Sequence, residues 1–210
     1  MAKGGETRWP YDPRVKKLLR TFLAMAKEVR RPYAIGGALS MSAHGYSRET
    51  KDVDAFLLER DRLTWLRAAR KHGLTVDNIF GHIHYIAFFP KDGDARIRID
   101  MLFPAAEPDL SAVEHPTKGT IGGVKARVFP VELLAIAKFI SDRPEDNRDF
   151  ATMFNLGLFE PATVRAILRS FESRDVIASY DHVVAGLSRP RRPPPSGAKS
   201  GHMKRLRFSR

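Results

Sequence analysis

The sequence predicts an α+β fold: a mixed sheet flanked by helices, followed by a helical C-terminal region. Three observations carry this. Apolar and charged residues alternate with period 2 at 52–57 and 96–102, apolar residues recur at helical spacing over 13–30, and the chain after Pro130 reads as a run of helices.

Taken in order, Val15, Leu18, Leu19, Phe22, Leu23, Met25, Ala26 and Val29 form the apolar stripe of an amphipathic helix, with Lys and Arg between them. It ends by Pro32, because a residue before proline avoids the helical region. Pro32-Tyr33-Ala34-Ile35 is a short buried strand that stops at Gly36-Gly37, where backbone can approach a ligand with no Cβ in the way. Ala38 to Tyr46 is helical, so its free N–H groups lie beside those glycines and suit an anion.

On the next strand Val53, Ala55 and Leu57 take one face while Asp52 and Asp54 take the other. A helix from Asp61 to His72 is closed by Gly73. A strand over 83–89 and a turn at 90–94, with Asp92 and Asp94 as turn residues, lead into the strand 96–102. There Ile97, Ile99 and Met101 share one parity, and Arg96, Arg98 and Asp100 the other. The strand-bearing core is expected to finish near Phe103, followed by a polar, Pro-containing stretch over 104–118 and a hairpin over roughly 119–129 around Gly122-Gly123. Pro130 opens a helix to about Asp142, and further helices are expected at 145–156, 161–173 and 174–186. The units are then 1–130 as an α/β core, 131–186 as a helical subdomain and 187–210 as a basic tail.

Composition narrows the function classes. Hydrophobic residues make up 43% of the 210, enough for a real core, and the absence of cysteine removes disulfides and thiolate metal sites. No apolar run approaches the ~18 residues of a membrane span, and the first residues lack the apolar stretch of a signal peptide, so a soluble, cytoplasmic protein is expected. The formal charge is +12, but residues 187–210 hold eight Lys or Arg and no acid, which leaves +4 on the rest. That tail is expected to be disordered, either merely solvated or an arm that meets RNA phosphates.

Asp52 and Asp54 are the most informative pair, because two carboxylates on one strand face can hold divalent cations against a phosphate. Asp100 adds a third from a neighbouring strand if it does not simply pair with Arg96 or Arg98. An isolated Asp-x-Asp also occurs in metal-dependent glycosyltransferases, but those need a longer nucleotide-binding region than the roughly 50 residues that precede it here. His44 suits a structural hydrogen bond beside Gly45 better than catalysis. His82 and His84 have metal-ligand spacing without a clear third ligand.

Gly36-Gly37, Asp52-Val53-Asp54 and Asp100 resemble the signature of the DNA polymerase β-like nucleotidyltransferases. Adding His44-Gly45, Arg48 and Thr50, and the block Lys138…Arg143…Asp146…Asp149, the sequence resembles the minimal bacterial members of the AbiEii and MenT toxin type. The resemblance implies transfer of NMP from an NTP to a hydroxyl with release of pyrophosphate. It implies two Mg²⁺ ions, with Mn²⁺ as a substitute, on Asp52, Asp54 and Asp100. Gly36, Gly37 and Ser40 would form the phosphate turn. Lys138 and Arg48 would be phosphate cations, with Asp146 and Asp149 orienting Lys138 and Arg143 or touching the nucleoside. tRNA or another RNA would be the acceptor and an antitoxin protein the partner. A small-molecule or protein acceptor, and a catalytically silent RNA-binding module, are the alternatives.

Overall fold

The computed structural model describes residues 9, 11–76, 84–91 and 96–188. His82, Asp92, Asp94 and nearly all of the basic tail lie outside them.

Helix α1 (Pro13–Val29) starts with Pro at its first position and Asp12 as cap, and buries Val15, Leu18, Leu19, Phe22, Met25 and Ala26. Strand β1 (Tyr33–Ile35) and helix α2 (Gly37–Ala43) follow, then β2 (Asp52–Leu57), a 3-10 turn at Glu59–Asp61, and α3 (Arg62–Lys71). Next come β3 (Leu74–Val76), β4 (Tyr85–Pro90), β5 (Arg98–Leu102), α4 (Asp109–Glu114), β6 (Thr117–Ile121) and β7 (Val124–Val128). Four helices complete the described chain: α5 (Val131–Ser141), α6 (Pro144–Asn155), α7 (Pro161–Leu168) and α8 (Arg174–Leu187). Among the described residues no helix is long and apolar enough to cross a membrane.

All seven strands form one sheet in the order β3-β4-β5-β2-β1-β7-β6. The expectation that the sheet ends near Phe103 is therefore corrected: β7 pairs in parallel with β1 at Ile35 and Val128, and carries β6 with it as an antiparallel hairpin. The polar, Pro-containing stretch 104–118, for which no element is expected, contains α4, whose Ala112 and Val113 are fully buried. The helix expected over 161–173 stops at Leu168.

Alternation on the strands divides the molecule. Val53, Ala55, Leu57, Ile99 and Met101 are 0% exposed and face α1 and α3, where the rings of Phe22 and Trp65 stack 5.5 Å apart. The opposite face carries Asp52, Asp54 and Asp100. There a second core packs Ala34, Ala38, Met41 and Leu58 against Phe129, α4 and helices α5 to α8. Between that core and the open front of β2 and β5 lies a cleft of about 1250 Å³.

Candidate metal and nucleotide site

Parallel pairing of β2 with β5 sets Asp52 opposite Arg98 and Asp54 opposite Asp100, so equal parity on two strands becomes a single acidic cluster. One carboxylate oxygen from each of Asp52, Asp54 and Asp100 lies within 4.8 Å of the others. Burial, then the charges of Asp52 and Asp100, push the Asp54 carboxyl up to about 7, against the weaker pull of Lys138 and Arg48. Asp100 is also raised, by burial, although Arg98 and Tyr85 bond to it. Three carboxylates this close, short of positive charge, fit a divalent cation: oxygen ligands from two strands with an open side toward the cleft.

The outer oxygens are held in place. Thr50 Oγ1 donates to Asp52 Oδ1 at 2.5 Å. Arg98 Nε and the Tyr85 hydroxyl both donate to Asp100 Oδ1, at 2.7 and 2.9 Å, and Arg98 Nη2 lies 3.8 Å from Asp52 Oδ2. Asp100 thus does both things the sequence left open: it pairs with Arg98 and it joins the triad. Tyr85 and the bridging role of Arg98 were not anticipated. Tyr85 shares a strand face with Ala87, which pairs with Asp100; the turn at 90–94 points to neighbouring strands, but only the fold supplies the register that brings the Tyr85 hydroxyl to Asp100.

The glycine turn meets the triad directly. Gly36 N–H donates to the Asp54 carbonyl at 2.9 Å, and Gly37 sits at φ +53°, where a Cβ would come within 1.8 Å of Asp54 Oδ2. Any other residue at 37 would displace the carboxylate. Ser40, expected in the phosphate turn, is placed elsewhere: it is 0% exposed on the inner side of α2, outside the cleft lining, with no hydrogen-bond partner for its Oγ. A hydroxyl one turn beyond the glycines is visible in the sequence; the side of α2 that faces the core is not.

A second charged cluster closes the cleft from α5 and α6. Lys138, 7% exposed, bonds to Asp146 Oδ1 and lies 3.0 Å from Asp149 Oδ2. Asp149 takes Arg48 Nε on both oxygens at 3.0 and 3.1 Å, and Arg48 also pairs with Glu145 at 2.9 Å. Asp146 further accepts from Ser141 Oγ at 2.5 Å and Arg143 Nε at 2.6 Å. Burial alone would raise Asp146, yet the bonds from Lys138, Ser141 and Arg143 hold it below its ordinary value. Lys138, Arg48, Arg143 and Asp146 all line the cleft, together with Lys51 and Arg148. His44 is tied to the Phe129 carbonyl at 2.7 Å and does not line it.

No family model matches the sequence, and no curated protein matches it. The fold has clear likenesses. The solution structure of the antibiotic-resistance factor ANT(2'')-Ia aligns with a TM-score of 0.55 at 18% identity, over 81% of this chain and 97% of that one. The crystal structure of ANT(2'')-Ia with adenylyl-2''-tobramycin aligns at 0.54 and 17%, over 81% and 98%. An antigenic nucleotidyltransferase-like protein from Paracoccidioides brasiliensis aligns at 0.51 and 21%, over 82% and 94%. The chain has the polymerase β-like nucleotidyltransferase fold.

Proposed function

We propose that this protein is a metal-dependent nucleotidyltransferase that moves a nucleoside monophosphate from an NTP to a hydroxyl of a small molecule. The carboxylate triad carries the reading: Asp52, Asp54 and Asp100 converge on one point of a cleft whose volume exceeds that of a single drug-sized pocket. Asp52, Asp54 and Asp100 would hold Mg²⁺, which supplies charge neutralisation at the phosphates and a more acidic acceptor hydroxyl. The acceptor oxygen bonds to the α-phosphorus, the bond from that phosphorus to the α–β bridging oxygen breaks, and pyrophosphate leaves with the electron pair. Asp100, beside Asp54 on the neighbouring strand, would accept the hydroxyl proton. Arg48, Lys51, Lys138 and Arg148 offer positive charge to the triphosphate. Gly37 lets the turn lie against Asp54.

A small-molecule acceptor is supported by the similar structure that holds adenylyl-2''-tobramycin. An RNA acceptor, with an antitoxin as partner and the AbiEii or MenT type as the nearer relatives, is the second reading. Exposed cations on α1 and α3, among them Lys17, Arg20, Lys27, Arg67 and Arg70, favour it. They lie on the helices behind the sheet, however, away from the carboxylate face.

The test is incubation of wild type and Asp54→Ala with Mg²⁺, each α-³²P-labelled NTP and, separately, amino sugars or total tRNA. Label transferred by wild type alone to the small molecule is the expected result. Label on tRNA alone would move the function to RNA, and no transfer to anything would leave a binding module.

A further inference from the structure

Along the cleft the chemistry changes in register. Arg48 and Lys51 precede Asp52; Asp52 and Arg98 form the first row of the β2–β5 pair, Asp54 and Asp100 the next, and Phe56 and Leu102 the one after. Two strand residues span about 7 Å, so the apolar row starts within one sugar ring of the triad. Phe129 meets Phe56 edge-on with ring centroids 4.6 Å apart, and α4 closes this end, its Ala112 and Val113 packed with Ala34 and Leu58.

At the start of α4 stands Asp109, a cleft-lining carboxylate that the reading above does not use. Its Oδ1 is buried and has no hydrogen-bond partner. It is the first residue of α4, after the cap residue Pro108, and the Ser111 N–H donates to Glu107 at 3.2 Å, not to Asp109. Burial, then the neighbouring charge of Glu107, push the Asp109 carboxyl up to about 6. A half-buried carboxylate beside a second acid, with one of its oxygens closed off and unpaired, costs free energy unless a cation or donor arrives at the side open to the cleft. The apolar residues that line the same cleft, Phe56, Leu102 and Phe129 among them, suit the body of a sugar or ring, and a carboxylate at the cleft suits a charge carried on that body.

We propose that Asp109 is the cation-binding residue of the acceptor subsite: it pairs with a protonated amine on the small molecule whose hydroxyl receives the nucleotide. This rests on the nucleotidyl-transfer reading and specifies its substrate class. An amine held at the apolar end leaves the hydroxyl of the same molecule directed toward Asp100. Phosphate-rich acceptors are disfavoured there, because Asp109 and Glu107 repel them.

The test uses the full chain with Mg²⁺ and a non-hydrolysable ATP analogue. Thermal shifts are titrated with a panel of amino sugars, tobramycin among them, each beside its N-acetylated form, which keeps the hydroxyls and loses the charge. At least one amino sugar should bind wild type tenfold or more tightly than its acetylated form. Asp109→Asn should abolish that preference, and Asp109→Glu should retain part of it. Equal preference in Asp109→Asn, or no preference anywhere in the panel, would overturn the proposal. If the ATP analogue fails to shift wild type, or shifts Asp54→Ala equally, the nucleotidyl-transfer reading itself falls instead.

Discussion

Two charge clusters line the same cleft, one buried and one partly open to it, and they are built oppositely. The cluster on α5 and α6 brings its own cations: Asp146 and Asp149, 2% and 1% exposed, are bound by Lys138, Arg48 and Arg143, and Asp146 sits below its ordinary pKa. The cluster on β2 and β5 sets three carboxylates against Arg98, and Asp54 is pushed up to about 7. A self-neutralised cluster holds its cations in fixed positions at the cleft. A cluster left short of positive charge is poised to take it from outside, which is what a metal clamp requires.

The largest effect that would sharpen this contrast is loss of turnover. Asp54→Asn keeps the shape and removes the charge, and should lower nucleotidyl transfer by about 10³-fold or more, several kcal/mol of lost charge stabilisation. A variant within tenfold of wild type in a pyrophosphate-release assay would break the assignment.

Next is stability on the other side of the cleft. Lys138→Met leaves two buried carboxylates with fewer partners, at a cost of about 3 kcal/mol by urea unfolding, the lower end for a broken buried pair because Arg48 and Arg143 remain. A cost under about 1 kcal/mol would mean that the network is not self-neutralised as described. Asp54→Asn should do the reverse and, without metal above pH 7, be more stable than wild type.

The pH dependence follows from the same shift. Asp54 titrates near 7 in the folded chain and near 3.8 when unfolded, so the folded state binds more protons in between. Wild type therefore loses stability relative to Asp54→Asn as pH rises from about 4 to 7, and has lost all of that contribution above 7. Mg²⁺ should raise the wild-type Tm more at pH 8 than at pH 5. An equal rise at both would separate metal binding from this carboxylate.

The smallest expected effect comes from the turn. Gly37→Ala places a Cβ against Asp54 Oδ2 in a left-handed conformation, which costs about 1–2 kcal/mol of stability. Because the strain falls on the carboxylate, metal affinity should drop along with Tm. A loss of stability without a change in metal affinity would place the strain elsewhere.

Much of this was readable from residue order. The period-2 alternation at Val53, Ala55 and Leu57 and at Ile97, Ile99 and Met101 put Asp52, Asp54 and Asp100 on the faces they occupy, and the apolar stripe of α1 is equally local. The pairing of β7 with β1 was not readable, since it joins Val128 to Ile35 across the chain. Nor was α4, six residues in a polar stretch whose burial depends on the cleft-side core. Ser40 shows the same limit: its distance from Gly37 is local information, but its inward direction depends on where α2 packs. Asp109 carries no motif at all; only the fold brings it to the cleft.

The contrast between the clusters is tested most directly by Mn²⁺ titration of wild type and Asp54→Asn at pH 8, followed by electron paramagnetic resonance of the free ion. Wild type should bind Mn²⁺, more tightly than at pH 5, and Asp54→Asn should bind at least about tenfold more weakly. Equal binding by the two proteins would contradict the assignment of the triad as the metal clamp.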